Sequence, residues 1–320
     1  MIREASRPQR PTAATTATSP STSTPTLSTH ASVPAAQAPT PTPSPASRQV
    51  VVRGRGVARV GTGLMWLAAA VFTLLLVLPI GAILARAILG TDLFGALARP
   101  VVVEALRLSL LTTSVSLFVA LVLGTPVAWL LARHDFPGRA WLDGLLELPM
   151  VLPPAVAGIG LLMAFGRRGL LGPFLASLGL TVGFTTAAVV LAQIFVAAPF
   201  YVRAAKVGFQ GVDCELEEMA STLGASGWTS FWRVTVPLAF PSLLTGAAMC
   251  WARALGEFGA TIMFAGSFQG RTQTMPLAIY GALESDLEAA LALSAVLVVV
   301  SFLLLGLVRL TARRSGLTDG

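Results

Sequence analysis

Charge is scarce in this chain: only 12% of its 320 residues are Asp, Glu, Lys or Arg, while 54% are hydrophobic. A water-surrounded domain could not cover that much apolar surface, so the composition excludes an ordinary soluble fold. Lysine is nearly missing, since Lys206 is the sole one. A phosphate-binding loop needs Lys before Ser or Thr after a Gly-rich turn, and here the context is Ala205-Lys206-Val207. That absence excludes the usual nucleotide cradle. The two cysteines, Cys214 and Cys250, lie in unrelated contexts and give neither a disulfide framework nor metal-ligand spacing. Of the two histidines, His30 stands alone and His134 adjoins Arg133 and Asp135 without metal-ligand company. No catalytic constellation, metal site or cofactor site is expected on this chain.

What is present is length and apolarity in blocks. Residues 1–55 are rich in Pro, Thr, Ser and Ala and poor in bulky apolar side chains. Such a segment cannot offset its ordering entropy and reads as a disordered tail. Residues 56–315 form the membrane domain. Apolar stretches of about 20 residues predict six transmembrane helices, near 64–85, 108–132, 148–166, 184–202, 238–262 and 289–308. The expected fold is therefore all-α, a multi-pass protein of the cell membrane.

The net charge of +7 does not point to nucleic acid. Seven arginines precede residue 60, and most others sit at the ends of apolar blocks, where loops between spans place them. Arg53, Arg55, Arg59, Arg133, Arg139, Arg203, Lys206, Arg233, Arg309, Arg313 and Arg314 share one side if both termini are cytoplasmic. Arg86, Arg99, Arg107, Arg167, Arg168 and Arg271 face the other, and the balance predicts an N-in, C-in arrangement. Pro79, Pro126, Pro149, Pro153 and Pro154 are expected to break or kink the spans that hold them.

The loop at about 206–237 carries the sharpest local pattern. Asp213 suits an N-cap, Glu215, Glu217 and Glu218 place negative charge on the first turns, and Leu216, Met219, Ala220 and Leu223 share one face. Gly224 suits a left-handed C-terminal cap, and Trp228, Phe231 and Trp232 form a second short apolar face before Pro237 and Pro241. An acidic amphipathic helix in such a loop fits docking to a partner better than lying on a membrane surface, which favours basic faces.

This segment resembles the EAA motif of ABC-importer permeases: Glu-Ala-Ala, a glycine after a gap of three, then an aliphatic pair before proline. Here the slots hold Glu218, Met219, Ala220 and Gly224, then Val234, Val236 and Pro237, with Met219 replacing the central alanine and valine at both aliphatic positions. Further stretches, ELPMVLPPAVAGIGLL from about 147, FGRRGLLG at 165–172 and RALGEFGATIMFAGSFQGRTQTMPLAIY at 253–280, are similar to the molybdate-type permeases. The sulfate/thiosulfate permeases share the Arg-x-x-Gly-Glu stretch, and tungstate is a further alternative. The resemblance implies a permease without its own ATPase. Its expected partners are cytoplasmic ABC ATPase subunits that hold ATP and Mg, an extracytoplasmic oxyanion-binding protein, a second copy of the chain and the lipid bilayer. Glu217, Glu218, Met219, Ala220, Gly224 and Pro237 are the expected ATPase-coupling residues. A secondary transporter is the rival of another class, but no clear repeat supports it.

Polar residues inside the spans have two readings each. Arg253 and Glu257 should pair or face a watery cavity, either as part of a pathway for a dianion or as a structural ion pair. Ser109, Thr112, Thr113 and Ser116 form a hydroxyl stripe that could line a pathway or pack helices. Ala248, Ala252, Gly256 and Ala260 recur every fourth residue, as a close helix-packing seam would, extending to a dimer interface. Arg167 and Arg168 read as loop charges or as attractors for an anion.

Overall fold

The computed structural model describes residues 55–90, 95 and 99–314. The tail read as disordered lies outside the described residues, apart from Arg55. Residues from Val60 onward form one compact unit. Every regular element among the described residues is helical. That follows from the apolar blocks: with no water to satisfy amide and carbonyl groups, a single segment must bond within itself.

Helix α1 (Arg55–Gly90) is the first span, and its side chains from Leu64 to Leu78 are all exposed. Helix α2 (Pro100–Arg133) begins on a proline, whose missing N–H costs nothing in the first turn. Two short helices follow, α3 (Arg139–Val151) and α4 (Pro154–Phe165), bent by 117° at their junction. Residues 148–166, expected as one span broken or kinked at its prolines, are broken at Leu152–Pro153. Leu152 and Pro153 each precede a proline and are held extended, at ψ 134° and 133°, which ends α3 before α4 can start. The described residues thus hold five unbroken helices long and apolar enough to span, plus this bent pair.

After a one-and-a-half-turn helix α5 (Gly172–Ser177), helix α6 (Thr186–Gln210) runs through the centre. Helices α7 (Cys214–Thr222) and α8 (Gly227–Ser230) lead through a π-turn (Phe231–Thr235) into α9 (Val236–Leu255). The fifth span consequently starts at Gly227 rather than 238 and stops at Leu255 rather than 262. The loop read at 206–237 is shorter, 211–226, because α6 and the fifth span extend into both ends. In the π-turn the Val236 amide bonds to the Phe231 carbonyl, one residue further back than in an α-helix. The wider turn lies beside Pro237, whose ring would crowd the preceding carbonyls of a regular helix. Helices α10 (Gly259–Phe264), α11 (Met275–Ser285) and α12 (Leu287–Arg314) complete the described chain.

Helix α6 packs along both α2 and α9, and α4 packs against α10. The central core is strikingly small-chained in its chemistry: Ala120, Ala128, Ala197, Ala205, Ala239 and Ala254 surround Tyr201 and Phe209. Lipid tails are as apolar as leucine, so small residues that let helices approach closely supply the packing energy. At one end, Asp286 caps α12 through the Ala289 amide and pairs with Arg99 beside α2 at 3.3 Å. The Ala289 amide, helped by Arg99, holds its carboxyl below the usual carboxylate range.

Candidate functional site

The helix expected to carry the docking residues forms as its local sequence dictates. Asp213 accepts from the Glu215 amide at 3.0 Å, and Glu215 and Glu217 occupy the first turn. Gly224 sits at φ 87°, a conformation that costs a side-chained residue about 1–2 kcal/mol. None of the helix residues is buried. Leu216, Met219 and Leu223 are 41%, 59% and 88% exposed, so the apolar face lacks a cover among the described residues.

The two adjacent glutamates do different things. Glu218 is exposed, and its side chain is not engaged in any ion pair among the described residues. Glu217 turns inward, where its carboxylate takes Arg133 at 2.7 Å and the Thr235 hydroxyl at 2.7 Å. Arg133 also donates to the Val212 carbonyl at 2.9 Å and contacts Cys214 Sγ at 3.0 Å. Pro237 lies beyond the π-turn and is exposed. Below this junction Phe231 meets Trp129 of α2 edge-on at 5.9 Å and stacks with Trp228 at 6.2 Å, fixing the base of the fifth span.

Within the spans, Ser109, Thr112, Thr113 and Ser116 are all buried. Thr113 bonds back to the Ser109 carbonyl at 2.7 Å and receives Trp251 Nε1 of α9 at 3.0 Å. Gln193 of α6 donates to Thr112 at 3.2 Å and accepts from Ser116 at 3.0 Å. The Met275 amide at the head of α11 donates to Ser109 at 2.7 Å. The stripe therefore joins α2 to α6, α9 and α11 through its hydroxyls. Gln193 and Trp251 were not singled out from the sequence, although an amide inside an otherwise apolar span signals a need for partners.

Arg253 and Glu257 pair at 2.8 Å, with side-chain exposures of 30% and 1%. The second carboxylate oxygen of Glu257 accepts the Ala260 amide at 2.8 Å. Glu257 lies in the gap between α9 and α10, where it anchors the end of one helix and the start of the next. That gap separates Ala260 from Ala248, Ala252 and Gly256. Ala248 is half-buried, Ala252 and Gly256 are exposed and Ala260 is buried.

Toward the start of α6, Arg167 and Arg271 line a cavity of about 390 Å³ together with Thr181 and Thr185. Helix α6 separates this cavity from the α7 junction by about 37 Å of rise. The two ends of α6 thus carry different features: an arginine-lined cavity at one, and at the other the exposed acidic helix α7 held by Arg133.

Comparisons with known proteins accord with this geometry. Residues 124–316 match the family described as binding-protein-dependent transport system inner membrane component. Over 199 residues the chain is 48% identical to the molybdenum transport system permease protein ModB of Mycobacterium tuberculosis, covering 62% of this chain and 75% of that protein. It is 35% identical over 235 residues to a probable sulfate transport system permease protein cysT of Zygnema circumcarinatum, covering 72% and 82%. Its fold resembles a chain of a bacterial alginate ABC transporter crystallised with its alginate pentasaccharide-bound periplasmic protein. The TM-score is 0.65 at 17% identity, covering 82% of this chain and 98% of that one.

Proposed function

The chain belongs to the binding-protein-dependent transport system inner membrane components, and from that membership we propose that it is the permease subunit of an ATP-driven molybdate importer. The observation that carries the reading is the exposed acidic helix Cys214–Thr222, anchored to two spans yet uncovered on its apolar face. Such a surface suits a groove on a cytoplasmic ATPase. ATP and Mg reside on that partner. The 48% identity to a molybdenum permease, against 35% to a sulfate one, supports molybdate over sulfate or thiosulfate.

In this reading both termini are cytoplasmic, as the arginine bias favours. A second copy completes the pathway. The uncovered apolar face of α1 supports contacts with lipid or that copy. An oxyanion-binding protein delivers substrate at the end marked by Arg167 and Arg271, where positive potential raises the encounter rate. Closure of the ATPases moves α7, and the spans exchange between two access states. Glu257 has both carboxylate oxygens engaged, so its part is to hold the break in the pathway helix. Arg253, less buried, is the group left to meet a passing dianion.

Uptake of labelled molybdate into proteoliposomes holding this chain, its ATPase and its binding protein tests the proposal. Uptake should require ATP and resist excess sulfate. Gly224→Val, which strains the left-handed turn, and Glu218→Lys, which reverses the outward charge, should each lower it by about tenfold or more. Uptake abolished by sulfate would move the assignment to the sulfate branch. Uptake without ATP would sink the mechanism.

A further inference from the structure

Force delivered to an exposed helix reaches the membrane only through contacts stiff enough to carry it. Helix α7 buries none of its residues, and its apolar face is exposed among the described residues. Among the described residues, the ion pair joining it to the spans is Arg133–Glu217. Arg133 ends α2, where a cation also meets the helix's own negative pole. Its side chain is only 9% exposed, and the guanidinium grips three groups of the α7 junction: the Val212 carbonyl just before the helix, Cys214 at its first residue and Glu217 one turn on. The same Glu217 oxygen accepts the hydroxyl of Thr235, which is 1% exposed in the π-turn at the foot of the fifth span.

We infer that Arg133, Glu217 and Thr235 form a latch that transmits movement of the α7 helix to the second and fifth spans together. The inference rests on the proposed docking of α7 to an ATPase. It assigns the two neighbouring glutamates to separate tasks, Glu218 facing the partner and Glu217 facing the membrane domain. The planar, five-donor guanidinium can hold several acceptors in fixed geometry, which a lysine ammonium on a flexible stem does less rigidly. The latch joins helices already linked higher in the membrane by the Trp251–Thr113 bond, so α2 and α9 are tied at two levels. Arg133 and Thr235 are positioning residues: they act through α7 and touch neither substrate nor nucleotide.

The measurement is the number of molybdate ions imported per ATP hydrolysed in the assembled complex, with assembly followed by size-exclusion chromatography. Coupling between sites typically amounts to about 5–150-fold in an equilibrium, so Arg133→Gln should lower the ratio about fivefold or more. Arg133→Lys should recover part of it, and the double variant Arg133→Glu with Glu217→Arg should recover more than either single change. Thr235→Val, which removes one hydrogen bond, should lower the ratio less and carries the test if Arg133→Gln does not assemble. An unchanged ratio in the assembled variants overturns the latch. So does a parallel fall of hydrolysis and uptake, which would mean that the contacts merely fold the loop. The wild-type complex separates the two ideas: without ATP-driven uptake the transport reading fails, whereas ATP-driven uptake with unaltered ratios in the variants defeats the latch alone.

Discussion

Glu257→Ala is expected to destabilise the protein by about 3 kcal/mol, the low end of the range for removing one partner of a buried ion pair. The low end applies because Glu257 is 1% exposed but Arg253 is 30% exposed, so solvent recovers part of the loss. Two interactions disappear together. Arg253 is left without its counter-charge at 2.8 Å, and the Ala260 amide loses its acceptor at 2.8 Å. Arg253 lies in the last turn of α9, so the figure of about 2.5–3.5 kcal/mol that insertion scales give an unpaired arginine at a helix centre is an upper bound there. For a chain of this length, 3 kcal/mol corresponds to about 4–6 °C in Tm. Glu257→Gln separates the contributions. Its amide oxygen can still accept from Ala260, so the drop should be about half as large, while Arg253 remains uncompensated. Thermal unfolding of the purified protein in detergent reads both. A Glu257→Ala variant within about 1 °C of wild type would mean that the pair contributes nothing to stability.

Gly158→Val should be comparably damaging for a steric reason. Helix α4 passes so close to α10 that a Cβ on Gly158 would stand 2.7 Å from Met263 Cβ, 2.8 Å from the Ala260 carbonyl oxygen and 3.0 Å from Ala260 Cα. Two of these atoms belong to the backbone and cannot turn aside as a flexible side-chain tip would. Even Gly158→Ala forces the helices apart, at about 1–3 kcal/mol for overpacking, and valine adds to that. Gly160 is the internal control. It lies two residues along the same helix, and a Cβ there would meet nothing within 4 Å. Gly160→Ala should therefore be neutral or stabilising by up to about 1 kcal/mol, since glycine in a helix carries an entropic penalty. Equal effects at 158 and 160 would contradict the close crossing. The consequence extends to transport, because α10 starts at the Glu257 break and α4 follows the bend at Leu152–Pro153. A wedge at Gly158 displaces both interruptions of the membrane-spanning helices at once.

Much of the acidic loop was legible because it is local. Asp213 as the cap, the face of Leu216, Met219 and Leu223, and the left-handed Gly224 depend on residues within one or two turns. The pairing of Arg253 with Glu257 was also legible, since four residues on a helical path bring the two side chains together. The opposite assignments of Glu217 and Glu218 were not. Which of two adjacent acids turns inward depends on Arg133, 84 residues away, and on Thr235 in a π-turn. That Ala260 lies on a separate helix from Ala248, Ala252 and Gly256 was not legible, for the converse reason. A four-residue repeat presumes an unbroken helix, and the carboxylate of Glu257 stabilises a break inside it.

By itself the sequence determined that the chain crosses a membrane as helices, with about six apolar stretches and an acidic helix outside them. Apolar length and backbone self-satisfaction are properties of each segment alone. Only the tertiary structure decided how sharply the prolines bend the third span, by 117°, that the hydroxyl stripe bonds to Gln193 and Trp251, and that α7 is held by Arg133. Those outcomes turn on which side chains meet across tens of residues. Apolar segments of equal hydrophobicity are interchangeable to the bilayer, and close approach and hydrogen bonding alone tell them apart.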